Sequence, residues 1–212
     1  MMKKINIPFF IIKFWFVCGI LALILPLQPD QIELNKILLG PNLEQWCGYD
    51  HLGRPICERL IMGAKTSLSV AIVVVLISFI VGTFFGVICA WLGGIYDKFL
   101  VAMIDIFISF PGILLAIVLA GLLGPGLANT VIALSIVSWV GFSRLARIQT
   151  LSIKNRDHII AAHALGTLDY VIALKHILPL IIAPLIIEAT FTIASVIIAE
   201  AGLSFLGLGI QP

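Results

Sequence analysis

Two carboxylates, Asp105 and Glu188, stand inside long apolar runs. A charged side chain near the centre of a bilayer costs about 2.5–3.5 kcal/mol on insertion scales, so it faces a cavity or a partner and is a functional candidate by default. One reading places both along a translocation route for a cationic or zwitterionic cargo. The other pairs Asp105 with Arg144 or Arg147, since it lies only seven residues into its run, and has Glu188 protonated or hydrogen-bonded across a helix interface. The structural reading carries more weight for Asp105; for Glu188 the two stand level. His158, His163 and His176 share one polar interruption, where loop packing and bonds to carbonyls are the ordinary role of histidine and a metal relay is the exceptional one. No Cys/His spacing suits a structural zinc site, and Cys18 and Cys89 sit in apolar runs as small hydrophobes. Cys47 and Cys57 share one polar segment; an oxidising compartment would allow them to bridge, and spacing alone leaves the pairing open. The chain has no GxxxxGK[ST] phosphate loop of its own.

The elements that carry these groups are membrane helices. Of 212 residues 61% are apolar and 11% charged, and the mean hydropathy is +1.17, far from the roughly 25% charged residues of a soluble domain. A net charge of +2, with the basic residues gathered at the ends of apolar runs, excludes nucleic-acid binding. Five segments approach the roughly 20 apolar residues that a spanning helix needs: 9–27, 68–92, 99–123, 127–143 and 179–200. The run that follows Lys3 and Lys4 is read as a retained first helix, because no small-x-small cleavage site follows it. Those lysines, with Arg144, Arg147, Lys154, Arg156 and Lys175 between spans four and five, put the N-terminus and residues 93–98 and 144–178 inside. Residues 28–67 and 124–126 then lie outside, although Lys36, Arg54, Arg59 and Lys65 run against that orientation. The resulting organisation is a tail and first span over 1–28, an external segment over 29–67, a core over 68–200 and an external loop over 201–212. Gly82 and Gly86, one turn apart, read as a close helix contact.

The stretch DHIIAAHALGTLDYVIALKHILPL, residues 157–180, interrupts this pattern. Asn155 or Asp157 suits a helix N-cap, Gly166 a C-terminal position of positive φ, and Thr167 a second N-cap with Asp169 in the following first turn. Two short helices joined at Gly166 are expected, with Pro179 closing the second or opening the last span. Ile159, Ile160, Ala161, Ala162, Leu165, Val171, Ile172 and Leu174 give the loop more apolar surface than a connector needs. Docking of a partner and packing back on the protein account for that surface equally well. Pro111 and Pro184 are expected to kink their helices, and glycines 202, 207 and 209 to permit an irregular outer turn.

Ala161-Ala162-x-x-x-Gly166, followed by Leu178-Pro179, resembles the loop by which bacterial ABC-importer permeases engage their ATPases. With His176-Ile177-Leu178-Pro179 it is similar to the C-type permeases of the dipeptide, oligopeptide and nickel family, although Ile160 stands where that loop carries glutamate. Asp50, Gly53 and Arg54 resemble the family's external G-T-D-x-x-G-R-D segment, from which Tyr49 and Pro55 depart. DIFISFP at 105–111, GPGLAN at 124–129 and EAGLSFLGLGIQP at 200–212 are similar to further family runs, and the set covers most of 46–212. The resemblance implies an all-α, polytopic helix bundle of the type I importer permease fold in the bacterial plasma membrane. It implies alternating access for short peptides or chelated nickel, driven by ATP and magnesium on separate ATPase subunits, with no cofactor or metal on this chain. A second permease and an external solute-binding protein are the other implied partners. Family members carry a sixth span, so a fragment or a truncation is expected. A membrane protein without an ATPase partner, either a secondary carrier using Asp105 and Glu188 or a non-transporting remnant, is the alternative.

Overall fold

The computed structural model describes Lys13, Val17, Gly19, residues 27–43 and residues 45–209. The expected first span, 9–27, and the chain end at 210–212 lie outside the described residues, apart from isolated positions. Seven α-helices follow a short 3-10 turn at Leu34–Lys36: α1 (Ile56–Leu92), α2 (Gly94–Ile108), α3 (Gly112–Leu123), α4 (Leu127–Ile153), α5 (Asp157–Ala164), α6 (Asp169–Val171) and α7 (Leu178–Phe205). A π-helical stretch, Ile172–Ile177, joins α6 to α7, so Asp169–Phe205 is one continuous helix of 37 residues. The chain divides into two compact units, one ending at Ser69 and one covering Val70–Gln211.

Three helices, Ile56–Leu92, Leu127–Ile153 and Asp169–Phe205, are long and apolar enough to cross a membrane, and α2 with α3 passes the same test as a pair bent by 85°. That pair is the expected third span, and it is broken where a kink was expected. Ser109 ends α2 with its hydroxyl donating to the Asp105 carbonyl (2.7 Å), and Pro111, whose ring fixes φ at −59°, stands before α3. Its two ends lie far apart. Asp97 near the start of α2 binds Arg147, whereas Gly126 just past α3 donates to the Gly209 carbonyl beyond α7 (3.3 Å). Arg147 is 20 residues along α4 from Leu127, about 30 Å at 1.5 Å per residue, so the broken pair traverses the bundle.

Three other boundaries differ from the sequence reading. The second span starts at Ile56, absorbing Glu58, Arg59 and Lys65 into its first turns. The fourth runs on to Ile153 and carries Arg144 and Arg147 as helical residues. Gly202 is helical, and the irregular turn begins only at Leu206, with Gly207 at φ +75°. Pro184 lies inside α7.

The core of the second unit forms where small residues let helices approach. On α1, Ser78, Gly82, Gly86 and Ala90 recur every four residues and are all buried. On α4 they meet Phe142, Ser143 and Ala146, which are fully buried. A Cβ at Gly82 would fall 2.7 Å from the Phe142 Cβ, and one at Gly86 would fall 2.8 Å from the Ala146 Cβ, so only glycine admits this contact. Val70, Ala71 and Val74 of α1 pack with Ala116 and Ala120 of α3, Leu134 of α4 and Leu203 of α7 in a second cluster. Toward the opposite end Val87, Phe142 and Ala146 pack with Ile181 and Leu185 of α7.

Candidate functional site

The loop beyond α4 is built mostly from backbone bonds. Helix α5 follows Arg156, which is extended and makes no side-chain cap, and Asp157 occupies its first turn. Neither Asn155 nor Asp157 caps it. The other end is a Schellman motif: Gly166, at φ +80°, donates to the His163 carbonyl (3.0 Å), and Thr167 donates to the Ala162 carbonyl (3.1 Å). This gives the spacing of Ala162 and Gly166 a physical cause, the third residue from the end of a helix bonded around a left-handed glycine. Ala161 accepts from Leu165 (3.0 Å) and faces outward. Thr167 does not cap the next helix: Leu168 is the N-cap of α6 and makes no side-chain cap bond, with Asp169 in the first turn as expected.

The next turn widens. Pro179 has no N–H to give the carbonyl four residues back, and the chain before it winds with i→i+5 bonds. Such winding returns the fifth residue to the same face, and Ile172 and Ile177 are both fully buried. With Ile159, 1% exposed, they enter the cluster formed by Val87, Ala146, Ile153, Ile181 and Leu185; Ala162 and Leu178 pack against it, and Pro179 is exposed. Of the other apolar residues, Ile160, Leu168, Tyr170 and Leu174 are exposed and Leu165 is 87% exposed, while Val171 and Ala173 are partly buried. Self-packing and an unpartnered face therefore coexist in one loop, divided by residue. Nothing lies within 4 Å of a Cβ built at Gly166.

Two polar contacts tie this end of the bundle together. Arg147 donates to both carboxylate oxygens of Asp97 (2.6 and 2.7 Å), and Lys154 donates to the Ala90 carbonyl at the end of α1 (3.2 Å). The cation lies where the negative end of the α1 dipole stabilises it. Residues 93–98 and the 154–177 loop thus share one end, while 124–126 and 206–209 share the other. The expected pairing of Asp105 with Arg147 is replaced by Asp97, and Asp105 is exposed on α2. Glu188, half-buried on α7, lies against α4: a Cβ at Gly141 would fall 2.6 Å from its Oε1, so a glycine makes room for the carboxylate. The structure does not bring Asp105 and Glu188 into one cluster. Among the described residues no group of three or more His, Cys, Asp or Glu side chains is placed to hold a metal ion. Glu200 escaped the sequence reading: it is 5% exposed near the end of α7 and accepts from the Ser204 hydroxyl (2.9 Å), a bond whose i, i+4 spacing is visible in the sequence.

In the first unit, Asp50, Gly53 and Arg54 form a closed turn. Asp50 Oδ1 accepts from the N–H groups of Leu52 (2.8 Å) and Arg54 (3.0 Å), and Oδ2 accepts from Arg54 Nε (2.9 Å) and Arg59 Nη1 (2.7 Å). Burial pushes the Asp50 carboxyl up, but the Arg54 and Leu52 N–H groups and the Arg54 guanidinium outweigh it and hold the group well below the usual carboxylate range. Gly53, at φ +73°, packs on the Glu33 carbonyl, leaving no room for a Cβ. Tyr49 and Pro55 pair as a short antiparallel bridge across this turn. Cys47 and Cys57 are joined as a disulfide, with 5.4 Å between their Cα atoms. The motif residues here are consumed in holding one another.

A helical bundle with a broken span and a half-buried loop of this kind is the architecture of a membrane permease component. Residues 82–212 match the family described as binding-protein-dependent transport system inner membrane component, and the chain belongs to that family. It is 36% identical over 203 residues to the dipeptide transport system permease protein DppC of Bacillus subtilis, covering 95% of this chain and 63% of that protein. It is 39% identical over 183 residues to the glutathione transport system permease protein GsiD of Pectobacterium atrosepticum, covering 86% and 61%, and 41% identical over 183 residues to that of Escherichia coli O6:K15:H31, covering 86% and 59%. The chain spans about three fifths of the length of these curated relatives. It is a multi-pass protein of a family of inner-membrane components.

Proposed function

We propose that the chain is the permease subunit of an ATP-driven importer that moves short peptides across the plasma membrane by alternating access. The observation that carries this reading is the loop of α5 and α6. Ile159, Ile172 and Ile177 anchor it in the bundle, while Ile160, Leu165 and Leu168 remain exposed. A soluble connector gains nothing by exposing such a face, whereas an ATPase groove would cover it. In this reading the N-terminus and the loop are cytoplasmic, and nucleotide is hydrolysed on one or two separate ATPase subunits. A second permease and an external solute-binding protein complete the assembly. Ala161, Ala162, Gly166, Leu178 and Pro179 set the loop's geometry, and Ile160 supplies an apolar contact in place of an acid. The names of the relatives, dipeptide and glutathione permeases, support short peptides as cargo over chelated nickel. Glu188 beside Gly141 is the stronger candidate for facing the route, and Asp105 the weaker.

Purification from native membranes in mild detergent, with mass spectrometry of co-purifying proteins and ATP-dependent uptake of labelled dipeptide and nickel, tests this. A P-loop ATPase and a second permease are expected to co-purify, and dipeptide to be taken up. Gly166→Val, whose Cβ would have nothing within 4 Å but which forces a branched residue to φ +80°, costs about 1–2 kcal/mol in the loop. It is expected to reduce ATPase recovery and uptake together. Full uptake in that variant, or uptake by the purified chain without any ATPase, overturns the reading.

A further inference from the structure

A groove of about 490 Å³ runs along α1 from Phe79 to Leu92, walled on its other side by residues between Asp169 and Leu178. Phe79, Phe84, Trp91, Tyr170, Leu174 and Leu178 give it an apolar lining. Thr83, 6% exposed and with no hydrogen-bond partner for its hydroxyl, is the polar group along its length. The mouth at the loop end is different in kind. Asp169 Oδ1 lies 3.6 Å from His163 Nε2, and the His163 ring lies 6.2 Å from that of Trp91, so a carboxylate and two aromatic rings, Trp91 and Tyr170, border the opening.

Phe79 and Trp91 are 12 residues apart on a helix, about 18 Å at 1.5 Å per residue. One leaflet of a hydrocarbon core about 30 Å thick is close to the same depth. The wall residues Ile80, Phe84, Tyr170 and Leu174 are exposed, so the groove opens sideways into that leaflet. What enters it is a lipid chain or another helix, and the mouth discriminates. A carboxylate bordered by a tryptophan and a tyrosine attracts an ammonium group and repels an anionic headgroup.

We infer that this groove is a binding site for a phospholipid with an amine headgroup, one acyl chain lying along α1 from Trp91 to Phe79 and the ammonium held at Asp169 between Trp91 and Tyr170. The site would link the leaflet directly to α6 of the loop. It rests on α1 being a membrane span and is independent of the cargo. The test is quantitation of the lipids retained by the purified full chain, or its native complex, after reconstitution in nanodiscs of equal phosphatidylethanolamine and phosphatidylglycerol. Retained lipid is expected to be enriched at least threefold in phosphatidylethanolamine. Asp169→Asn should abolish the enrichment, and Leu174→Trp, which fills the groove, should abolish retention. Thr83→Val should leave both unchanged, because an acyl chain makes no hydrogen bond to its hydroxyl. A photoreactive residue at Phe84 should cross-link to lipid. Equal retention of both lipids, enrichment that survives Asp169→Asn and Leu174→Trp, weaker retention in Thr83→Val, or cross-linking of position 84 to protein each overturns the site, the last in favour of a helix as occupant.

Discussion

Gly86→Ala adds one methyl group at a close contact between α1 and α4. Built on the present backbone, that carbon would sit 2.5 Å from the Ser143 carbonyl oxygen, 2.8 Å from the Ala146 Cβ and 3.1 Å from the Arg147 nitrogen. Carbon atoms in favourable contact stand about 3.5–4.0 Å apart, so the helices must separate by close to 1 Å. Two of the neighbours are backbone atoms and the third is a Cβ, so no side chain can rotate away. Overpacking of this kind costs about 1–3 kcal/mol, which for a chain of this size lowers the melting temperature by roughly 2–12 °C. Gly121→Ala is the control. Nothing lies within 4 Å of its Cβ, and alanine is the better helix former by about 1 kcal/mol, so its melting temperature should match or exceed that of the wild type. Thermal melting in detergent, followed by size-exclusion recovery of monodisperse protein, reads both. Gly82→Ala combined with Gly86→Ala should cost less than the sum of the two, since one separation relieves both clashes. An unchanged melting temperature for Gly86→Ala, or a loss as large for Gly121→Ala, would refute the packing argument.

Asp97→Asn should destabilise the α2–α4 contact by about 1–3 kcal/mol, between the exposed and buried limits for ion pairs; a charge swap with Arg147 that recovers none of the loss in a double-mutant cycle would sink this. The depressed Asp50 carboxyl gives its turn stability that is complete above its unfolded value near pH 4 and lost as the pH falls toward the folded value. Asp50→Asn should therefore flatten the acid limb of proteolytic resistance between about pH 5 and pH 3, and an identical limb in both proteins would contradict it. Cys47 and Cys57 should resist alkylation until reduced, and closure of a loop with a sequence separation of 10 contributes about 3 kcal/mol to the first unit. Alkylation of both under native, non-reducing conditions would remove that link.

The spans were legible wherever apolarity alone decides. The uninterrupted run after Leu68 became the apolar part of α1, and the small-residue spacing of Gly82 and Gly86 became its contact with α4. Gly166 announced its own positive φ. Boundaries failed where polar residues have distant partners. Arg144 seemed to end the fourth span, yet α4 continues because Arg147 finds Asp97 and Lys154 finds the Ala90 carbonyl, partners 50 and 64 residues away. Asp97 lay in a short connecting turn with nothing local to mark it. The Phe110-Pro111 pair signalled a bend but not its size, since an 85° break depends on how α3 packs against α4 and α7. The π-helical turn was half legible: Pro179 marks the missing bond, but the wider winding also depends on burial of both Ile172 and Ile177. Alternation of charge and apolarity could not divide the loop's surface either, because Ile159 and Ile160 are neighbours with opposite fates.

The continuous helix from Asp169 to Phe205 also has a mechanical meaning. Its 37 residues make a rod about 55 Å long, stiff everywhere except where backbone bonds are missing. Pro179 and Pro184 each lack the N–H that would bond four residues back, and the turn before them is π-helical, so bending concentrates at the loop end of the rod. The 21 residues from Pro184 to Phe205 contain no further proline and extend about 32 Å. Glu188 and the turn at Leu206–Gly209 therefore belong to one stiff segment, and the loop end can flex without separating them.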